Sequence, residues 1–195
     1  LARRWDYHRF RPFARGCALL SVLGLLAVLL PGLGKTAGGA QRWLKAGSIG
    51  LQPSELAKYL LIAYLSDLLS RRQGDISGFV RGFVPPALVT GAIAGLVLLQ
   101  PDLGTAISLL FAGAVMIFVA GIRTGYLLLA GLLCLPAFYV LVFRVAYRRK
   151  RILAFLDPWA DPQGSGFQII QSLVALGSGG LGGVGLGESR QKLFS

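Results

Sequence analysis

The sequence has 195 residues, of which 54% are apolar and 14% charged, and its 20 Lys and Arg residues against 8 Asp and Glu residues give a net charge of +12. Soluble globular domains carry about 25% charged residues, so this composition excludes an ordinary soluble domain and indicates a membrane protein. The basic residues stand mostly between long apolar runs and not among stacked aromatics. We therefore expect anionic lipid, not nucleic acid, as the counterpart of the positive charge.

Five segments of the chain come close to the length and polarity that a bilayer crossing requires. A hydrocarbon core of about 30 Å needs about 20 helical residues at a rise of about 1.5 Å each. The apolar runs predict helices near residues 13–31, 53–69, 82–99, 103–120 and 125–143. Only Gln100, Pro101 and Asp102 separate the third helix from the fourth, which predicts a tight antiparallel hairpin. The predicted fold is an all-α polytopic membrane protein with its transmembrane bundle in residues 1–143.

The remaining stretch, residues 144–195, is polar and glycine-rich. Its one apolar patch, near residues 167–176, is too short to cross a bilayer and predicts a short interfacial helix. No Gly-Lys-Ser or Gly-Lys-Thr follows the glycines, so a P-loop is excluded. The pattern predicts a long extracytoplasmic loop, and its glycines indicate either a flexible loop or a backbone that approaches a ligand closely.

The distribution of arginine in the short loops predicts the orientation. Arg71, Arg72, Arg81 and Arg123 lie in two loops on one side, whereas the 100–102 turn on the other side has no basic residue. Cytoplasmic loops carry an excess of Lys and Arg, so we expect the N-terminus in the cytoplasm. The basic cluster at residues 148–151 then lies on the outer face, where we expect it to meet something anionic.

Ionisable residues within membrane helices are costly and therefore suggest function. Glu55 and Lys58 are three residues apart, share a helix face and are expected to pair. The alternative is a structural ion pair that holds the bundle together. Asp102 is expected either to cap the fourth helix with its carboxylate or to take part in chemistry. Trp43 is either functional or an interfacial anchor.

The few histidine and cysteine residues limit the kinds of catalytic site that the sequence can form. The one histidine, His8, lies in a basic leader, and Cys17 and Cys134 lie in apolar runs, so a Ser-His-Asp or Cys-His arrangement is excluded and no metal-ligand cluster is present in the sequence. Carboxylates, several cations and a glycine-rich loop suit a phosphate-bearing, lipid-linked substrate. These residues alone leave open whether the substrate is moved or reacted.

Several motifs resemble one known family. They are Gly39-Ala-Gln-Arg-Trp43, Gln52-Pro-Ser-Glu-Leu-Ala-Lys58, Leu99-Gln-Pro-Asp-Leu-Gly-Thr105, Phe155-Leu-Asp-Pro-Trp159, Gly166-Phe-Gln-Ile-Ile-Gln-Ser172 and Gly185-Leu-Gly-Glu-Ser-Arg-Gln-Lys-Leu193. In this order the chain resembles the SEDS family of bacterial cell-wall polymerases, and it is more similar to the division member than to the elongation member. The resemblance implies a protein of about ten helices, of which this chain holds five. It also implies polymerisation of lipid II, the undecaprenyl-pyrophosphate-linked disaccharide-pentapeptide, into glycan strands.

The resemblance also implies roles for individual residues. The residues expected to support catalysis near an outer cavity are Trp43, Glu55 and Lys58. At positions that match family motifs, Arg42, Asp102, Gln168 and Ser172 are expected to bind substrate. Arg148 and Arg151 are expected to do so because cations suit the negative charge of the leaving pyrophosphate. The family's catalytic aspartate follows the Gln-Lys-Leu segment in a Leu-Pro-Glu…His-Thr-Asp motif, and this sequence ends at Ser195 before that motif. Because the sequence also begins with Leu, we expect a fragment lacking both ends and inactive by itself.

The resemblance also implies binding partners and a location for the protein. The implied partners are a class B penicillin-binding protein and other division proteins, at the septum of the bacterial cytoplasmic (inner) membrane. We expect no metal site and no nucleic acid; a divalent cation is compatible with the chemistry, although no ligand cluster requires one. The alternatives are a lipid II flippase and a non-catalytic scaffold of the division machinery.

Overall fold

The computed structural model describes residues 11–30, 34–37, 40–46, 49–180, 182–185 and 187–188. The described chain divides into two compact units between Ala130 and Gly131. Its elements, in chain order, are α1 (Ala14–Leu29), β1 (Gly34–Ala37), β2 (Ala40–Ala46), β3 (Ile49–Leu51), α2 (Pro53–Ser70), α3 (Val84–Leu99), α4 (Leu103–Val119), α5 (Thr124–Phe143), α6 (Ala146–Leu156) and α7 (Phe167–Gly179). A π-helical turn, Phe79–Phe83, precedes α3.

The core of the first unit forms where α1 to α4 meet. Helix α2 buries one residue per turn, and α3 and α4 each bury a comparable stripe, because residues three and four apart share a helix face. These buried residues include Ala57, Leu61, Leu65, Leu69, Ile93, Val97, Ala106, Leu109 and Ile117. The opposite faces of α3 and α4 are apolar as well, with Leu88 of α3 64% and Phe111 of α4 71% exposed. Helices that are apolar all round are expected in lipid, so the composition and the packing agree.

Helices α3 and α4 approach closely at Gly113. A Cβ at this position would lie 2.5 Å from Thr90 Cγ2 and 2.8 Å from Thr90 Oγ1. Thr90 is held in place because its hydroxyl donates to the carbonyl of Pro86 at 2.7 Å. Only a residue without a side chain fits here, as is common where membrane helices pack.

Replacing Gly113 with Val should therefore lower the free energy of unfolding by about 1–3 kcal/mol, since the added methyl groups must displace Thr90. Gly91→Val is the matched control, because a Cβ at Gly91 meets nothing within 4 Å and the change in helix propensity is the same. Thermal unfolding in detergent measures both variants. Equal losses for the two would contradict the close contact.

Three helices of the described chain are long and apolar enough to cross a membrane: Arg11–Leu29, Phe79–Leu99 and Thr124–Phe143. The predicted all-α membrane fold is confirmed, and all five predicted helices are helical. Helix α4, with 17 residues, is slightly short, and α2 carries Glu55, Lys58 and Asp67, so the crossings predicted for these two stay predictions. The predicted end of the first helix at Pro31 lies outside the described residues.

The three-stranded antiparallel sheet between α1 and α2 was not predicted from the sequence. Strand β2 is central: Gly34 pairs with Leu44 of β2, and Leu44 pairs with Leu51 of β3. The sheet lies against the ends of α1 and α2. It therefore forms a small cap on one end of the helical bundle, and the chain enters α2 directly from β3.

The second unit contains the C-terminal part of α5, then α6 and α7. The predicted short helix near residues 167–176 is confirmed as α7, although its interfacial position stays a prediction. Helix α6 was not predicted, because its basic residues were assigned to a loop. The predicted domain boundary after Phe143 falls at the end of α5, not at the division between the two compact units. The assignment of residues 144–195 to the outer face stays a prediction.

Candidate functional site

The junction between the sheet and α2 positions three of the predicted residues. Pro53 is the first residue of α2, where its missing N–H leaves no hydrogen bond unmade. The Gln52 amide donates to the Ser54 hydroxyl at 3.1 Å and so fixes the entry into the helix. Glu55 follows in the first turn, where a carboxylate interacts favourably with the helix dipole. The first turn of α2 therefore begins beside the strands that carry Trp43.

Trp43 lies across the sheet against Gly50 of β3. A Cβ added at Gly50 would be 3.1 Å from Trp43 Cε3, so the glycine makes room for the indole ring. The ring remains 36% exposed. A partly exposed indole on a strand can offer an apolar face to a ligand or to lipid, and both predicted roles of Trp43 remain open.

The Glu55–Lys58 pair predicted from the spacing is present. Lys58 Nζ lies 2.8 Å from Glu55 Oε2, and the two side chains are 32% and 50% exposed, respectively. Both residues belong to α2, so the bond joins no second helix and cannot itself hold the bundle together. This geometry disfavours the structural alternative and leaves both charges accessible to a ligand.

Arg42 joins the sheet to the turn between α3 and α4. Its Nε donates to the carbonyl of Gln100 at 3.2 Å, and its Nη2 donates to the carbonyl of Pro101 at 2.6 Å. The last carbonyls of a helix lack partners within the helix, and a guanidinium satisfies two of them at once. We call these two bonds the Arg42 clamp. The substrate contact predicted for Arg42 stays a prediction.

The turn that the clamp holds also contains Gln100 and Asp102. The buried amide of Gln100 donates to the carbonyl of Leu25 at 3.1 Å and so ties the turn to α1. Asp102 caps α4: its carboxylate accepts from the Thr105 amide at 3.2 Å and from the Thr105 hydroxyl at 2.9 Å. The predicted cap is confirmed. The cap engages both carboxylate oxygens, which accounts for Asp102 without a substrate contact.

In the second unit, the structure brings Arg151 and Gln168 together. Arg151 Nη2 lies 3.5 Å from Gln168 Oε1, at the long end of hydrogen-bond distances, and its guanidinium carbon lies 5.8 Å from the centre of the Tyr147 ring. Ser172 donates its hydroxyl to the carbonyl of Gln168 at 2.8 Å. Arg148 donates to the carbonyl of Leu141 at 2.8 Å and so caps the end of α5. Of the two predicted cations, Arg151 is the more exposed and the more available to an anion.

The turn between α6 and α7 is built around Asp161. Its carboxylate accepts hydrogen bonds from the backbone and hydroxyl of Ser165 and from the backbone of Gly164, and these bonds, with the charge of Lys150, lower the pKa of Asp161 below its ordinary value of 3.8. Gly166 completes the turn, because a Cβ there would collide with the carbonyl oxygen of Pro158. The turn sets the start of α7 and with it the position of Gln168.

A group with a lowered folded pKa stabilises the fold above its unfolded pKa, and this contribution is lost as the pH falls through the folded value. The Asp161 turn is therefore at full strength at neutral pH and should loosen only below pH 3.8. Asp161→Asn should show faster amide exchange at Gly164 and Ser165 at neutral pH, which hydrogen–deuterium exchange measures. Asp75→Asn, a change at another exposed carboxylate, should leave this peptide unaffected. Unchanged exchange in Asp161→Asn would refute the role of the carboxylate.

The structure thus divides the predicted residues between its two units. The first contains Arg42, Trp43, Glu55, Lys58 and Asp102, and the second contains Arg148, Arg151, Gln168 and Ser172. No role was predicted for Gln100 from the sequence. Its position as a polar residue directly after an apolar run could have indicated one. Within the described ranges, no group of three or more His, Cys, Asp or Glu residues could hold a metal ion.

The chain matches known proteins along its whole length. The family model for the FtsW, RodA and SpoVE proteins, described as cell cycle protein, matches residues 1–195. A probable peptidoglycan glycosyltransferase FtsW from Geobacter sp. (strain M18) is 47% identical over 194 residues, which cover 100% of this chain and 53% of the relative. The stage V sporulation protein E of Bacillus subtilis (strain 168) is 44% identical over 189 residues, which cover 97% of this chain and 52% of the relative. The chain spans about half the length of the curated relatives it matches.

Solved structures show the same fold. A chain from a study of the structural coordination of polymerization and crosslinking by a peptidoglycan synthase complex superimposes with a TM-score of 0.69 and 38% identity, covering 92% of this chain and 53% of that one. The rod shape determining protein RodA from Thermus thermophilus superimposes with a TM-score of 0.52 and 35% identity, covering 64% of this chain and 42% of that one.

Proposed function

Because the chain belongs to the FtsW/RodA/SpoVE family of bacterial membrane proteins, we propose that the whole protein, of which these residues form a part, is a peptidoglycan glycosyltransferase. It polymerises lipid II into glycan strands during cell division. Relatives named as probable peptidoglycan glycosyltransferases, each matched over the whole of this chain, support this assignment. The predicted orientation places the sheet, the first turn of α2 and the 100–102 turn on the outer face, where such a substrate would be used.

One observation from the structure supports the proposal: a partly exposed ion pair, Glu55–Lys58, stands in the first two turns of α2, the helix that the chain enters directly from the sheet carrying Trp43. Charged side chains on the helices of an apolar bundle are energetically unfavourable, and this pair does not stabilise the bundle by joining two helices. A functional role therefore explains its presence better. A diphosphate is multiply charged and would be attracted by the ammonium of Lys58. The undecaprenyl chain would lie in the bilayer alongside.

The proposed reaction is a glycosyl transfer. A carboxylate takes the proton of the acceptor sugar's hydroxyl, the hydroxyl oxygen attacks the anomeric carbon of the donor, and the bond from that carbon to the lipid pyrophosphate breaks. Family resemblance places this carboxylate in a motif beyond Ser195. Within the first unit, Lys58 is the cation proposed to offset the developing charge of the leaving group. Arg151 is proposed separately as an anion contact of the second unit.

In the first unit, Trp43 is proposed to contact the sugar or its lipid carrier, and in the second unit, Gln168 and Ser172 are proposed as separate substrate contacts. Arg42, Asp102 and Arg148 are engaged with backbone and neighbouring side chains, so we propose that each of them holds a turn or helix end of its own unit. The proposed partner is a class B penicillin-binding protein that crosslinks the product, and the proposed location is the division septum. Support for a partner comes from the similarity to a chain of a peptidoglycan synthase complex.

The experiment that tests the function separates reaction from movement. The complete protein is reconstituted in vesicles with lipid II, and glycan strands are measured alongside the transfer of lipid II between leaflets. The proposal predicts strands that form with the wild-type protein. Movement of lipid II without strands would support the flippase alternative, and the absence of both would leave the scaffold.

A further inference from the structure

Three arginines gather at the end of the first unit that lies opposite the sheet. Arg72 follows α2, Arg81 lies in the π-helical turn before α3, and Arg123 directly precedes α5. Arg72 Nη1 donates to the carbonyl of Arg81 at 2.5 Å, which joins the first two segments. We call Arg72, Arg81 and Arg123 the basic rim.

An aromatic cluster joins the third segment to the second. The ring of Tyr126 lies 5.1 Å from the ring of Phe79 in an edge-on arrangement and 5.8 Å from the ring of Phe83. The amide of Tyr126 donates to the carbonyl of Arg123 at 3.0 Å, so Arg123 stands one turn before the cluster. Arg81 lies in the same π-helical turn as Phe79 and Phe83. The basic rim is thus built on segments in direct contact.

Among the described residues, the carboxylate at the C-terminal end of α2 is already paired with other arginines. Arg71 Nε lies 2.8 Å and Arg11 Nε 3.4 Å from the carboxylate oxygens of Asp67. Among the residues that the structure describes, no carboxylate forms an ion pair with any member of the basic rim. The three guanidiniums of the basic rim therefore present positive charge that attracts an anion.

The surface beside the basic rim is apolar. Phe79 is 44% exposed, Val80 71% and Leu128 74%. Trp and Tyr residues at the ends of membrane helices stand at the height of the lipid headgroups. Tyr126 therefore puts Arg123, whose carbonyl accepts from its amide, near the height of the phosphates. The positive-inside orientation puts this end in the cytoplasmic leaflet, whose anionic lipids attract basic residues.

We propose that the basic rim is a binding site for an anionic phospholipid. Arg72, Arg81 and Arg123 bind its phosphate, and its acyl chains lie on Phe79, Val80 and Leu128. A free phosphate would use the guanidiniums alone, whereas a phospholipid also covers the adjoining apolar surface. The proposal is independent of the enzymatic activity and concerns the opposite end of the first unit from the sheet.

The test uses the complete protein in detergent. Phosphatidylglycerol or phosphatidylcholine with identical acyl chains is added, and native mass spectrometry counts the bound lipids. The wild-type protein should bind phosphatidylglycerol at least about tenfold more tightly than phosphatidylcholine. Arg81→Gln and Arg123→Gln should each weaken phosphatidylglycerol binding about fivefold, and the double variant about 30-fold. Phosphatidylcholine binding should change little.

The matched control is the double variant Arg144→Gln/Arg149→Gln, which removes the same charge from exposed positions of the second unit. It should keep the preference for phosphatidylglycerol. Equal affinity of the wild type for both lipids, or an undiminished preference in Arg81→Gln and Arg123→Gln, would overturn the proposal. Inorganic phosphate at the lipid's concentration should not displace phosphatidylglycerol; displacement would identify a site for free phosphate instead. The single variants keep the test decisive if the double variant does not fold.

Discussion

Replacing Glu55 with Gln is expected to reduce glycan-strand formation by the complete protein by about 100-fold or more. The Glu55 carboxylate lies 2.8 Å from Lys58 Nζ and holds this ammonium in one place on α2. Without the carboxylate, the cation that offsets the leaving pyrophosphate is no longer oriented, and this loss falls on the transition state. The measurement is the rate of strand formation from lipid II at saturating substrate.

Stability separates this role from a structural one. A half-exposed ion pair within one helix contributes less than about 1 kcal/mol, so Glu55→Gln should unfold at nearly the wild-type temperature. Asp75→Asn makes the same change of charge at an exposed position at the other end of the first unit and should retain full activity. A Glu55→Gln protein that polymerises at the wild-type rate would remove Glu55 from the proposed site.

Replacing Arg42 with Ala is expected to lower both stability and activity. The Arg42 clamp satisfies the carbonyls of Gln100 and Pro101, and hydrogen bonds from a charged group contribute about 1.5–3 kcal/mol each. We expect a loss of about 2–3 kcal/mol in the free energy of unfolding, since water can replace part of the clamp. Strand formation should fall as well, because β2 carries Trp43 and is no longer fixed to the turn.

The comparison of stability with substrate affinity decides what Arg42 does. If Arg42 contacts only substrate, Arg42→Ala should unfold at the wild-type temperature and show a raised KM alone. Arg42→Lys keeps the charge but not the two-pronged geometry, so the clamp predicts incomplete recovery. Arg15→Ala is the control, because the exposed side chain of Arg15 forms no hydrogen bond or ion pair among the described residues.

The helices could be predicted from the sequence because apolar runs of membrane length leave few alternatives in lipid. The predicted 82–99 and 103–120 segments correspond closely to α3 and α4, and the cap at Asp102 followed from its place before a helix. The sheet could not be predicted in this way: its strands are short, and none has the clean alternation that a long half-buried strand shows. Helix α6 was misassigned because its run of basic residues indicated a loop, although Arg, Lys, Leu and Ala all favour helix.

The site could be predicted only in part. The spacing of Glu55 and Lys58 was sufficient for their pairing, because both belong to one helix. The Arg42 clamp connects Arg42 to Gln100 and Pro101, which are 58 and 59 positions further along the chain. Its acceptors are backbone carbonyls, which every residue has, so the sequence of the turn does not indicate the contact. The contact of Arg151 with Gln168 likewise depends on the Asp161 turn between α6 and α7. Family resemblance identified these residues as important without indicating which contact each one makes.

The proposed site depends on one arrangement: Lys58, oriented by Glu55, acts on the substrate of a glycan polymerase. The charge-swapped double variant Glu55→Lys/Lys58→Glu tests this most directly, since it preserves an ion pair on the same helix face while exchanging the two positions. The complete wild-type protein should form glycan strands from lipid II, and the swapped variant should form none. The unfolding temperature of the swapped variant should be nearly that of the wild type. Strand formation restored by the swap, or absent from the wild-type protein itself, would contradict the account.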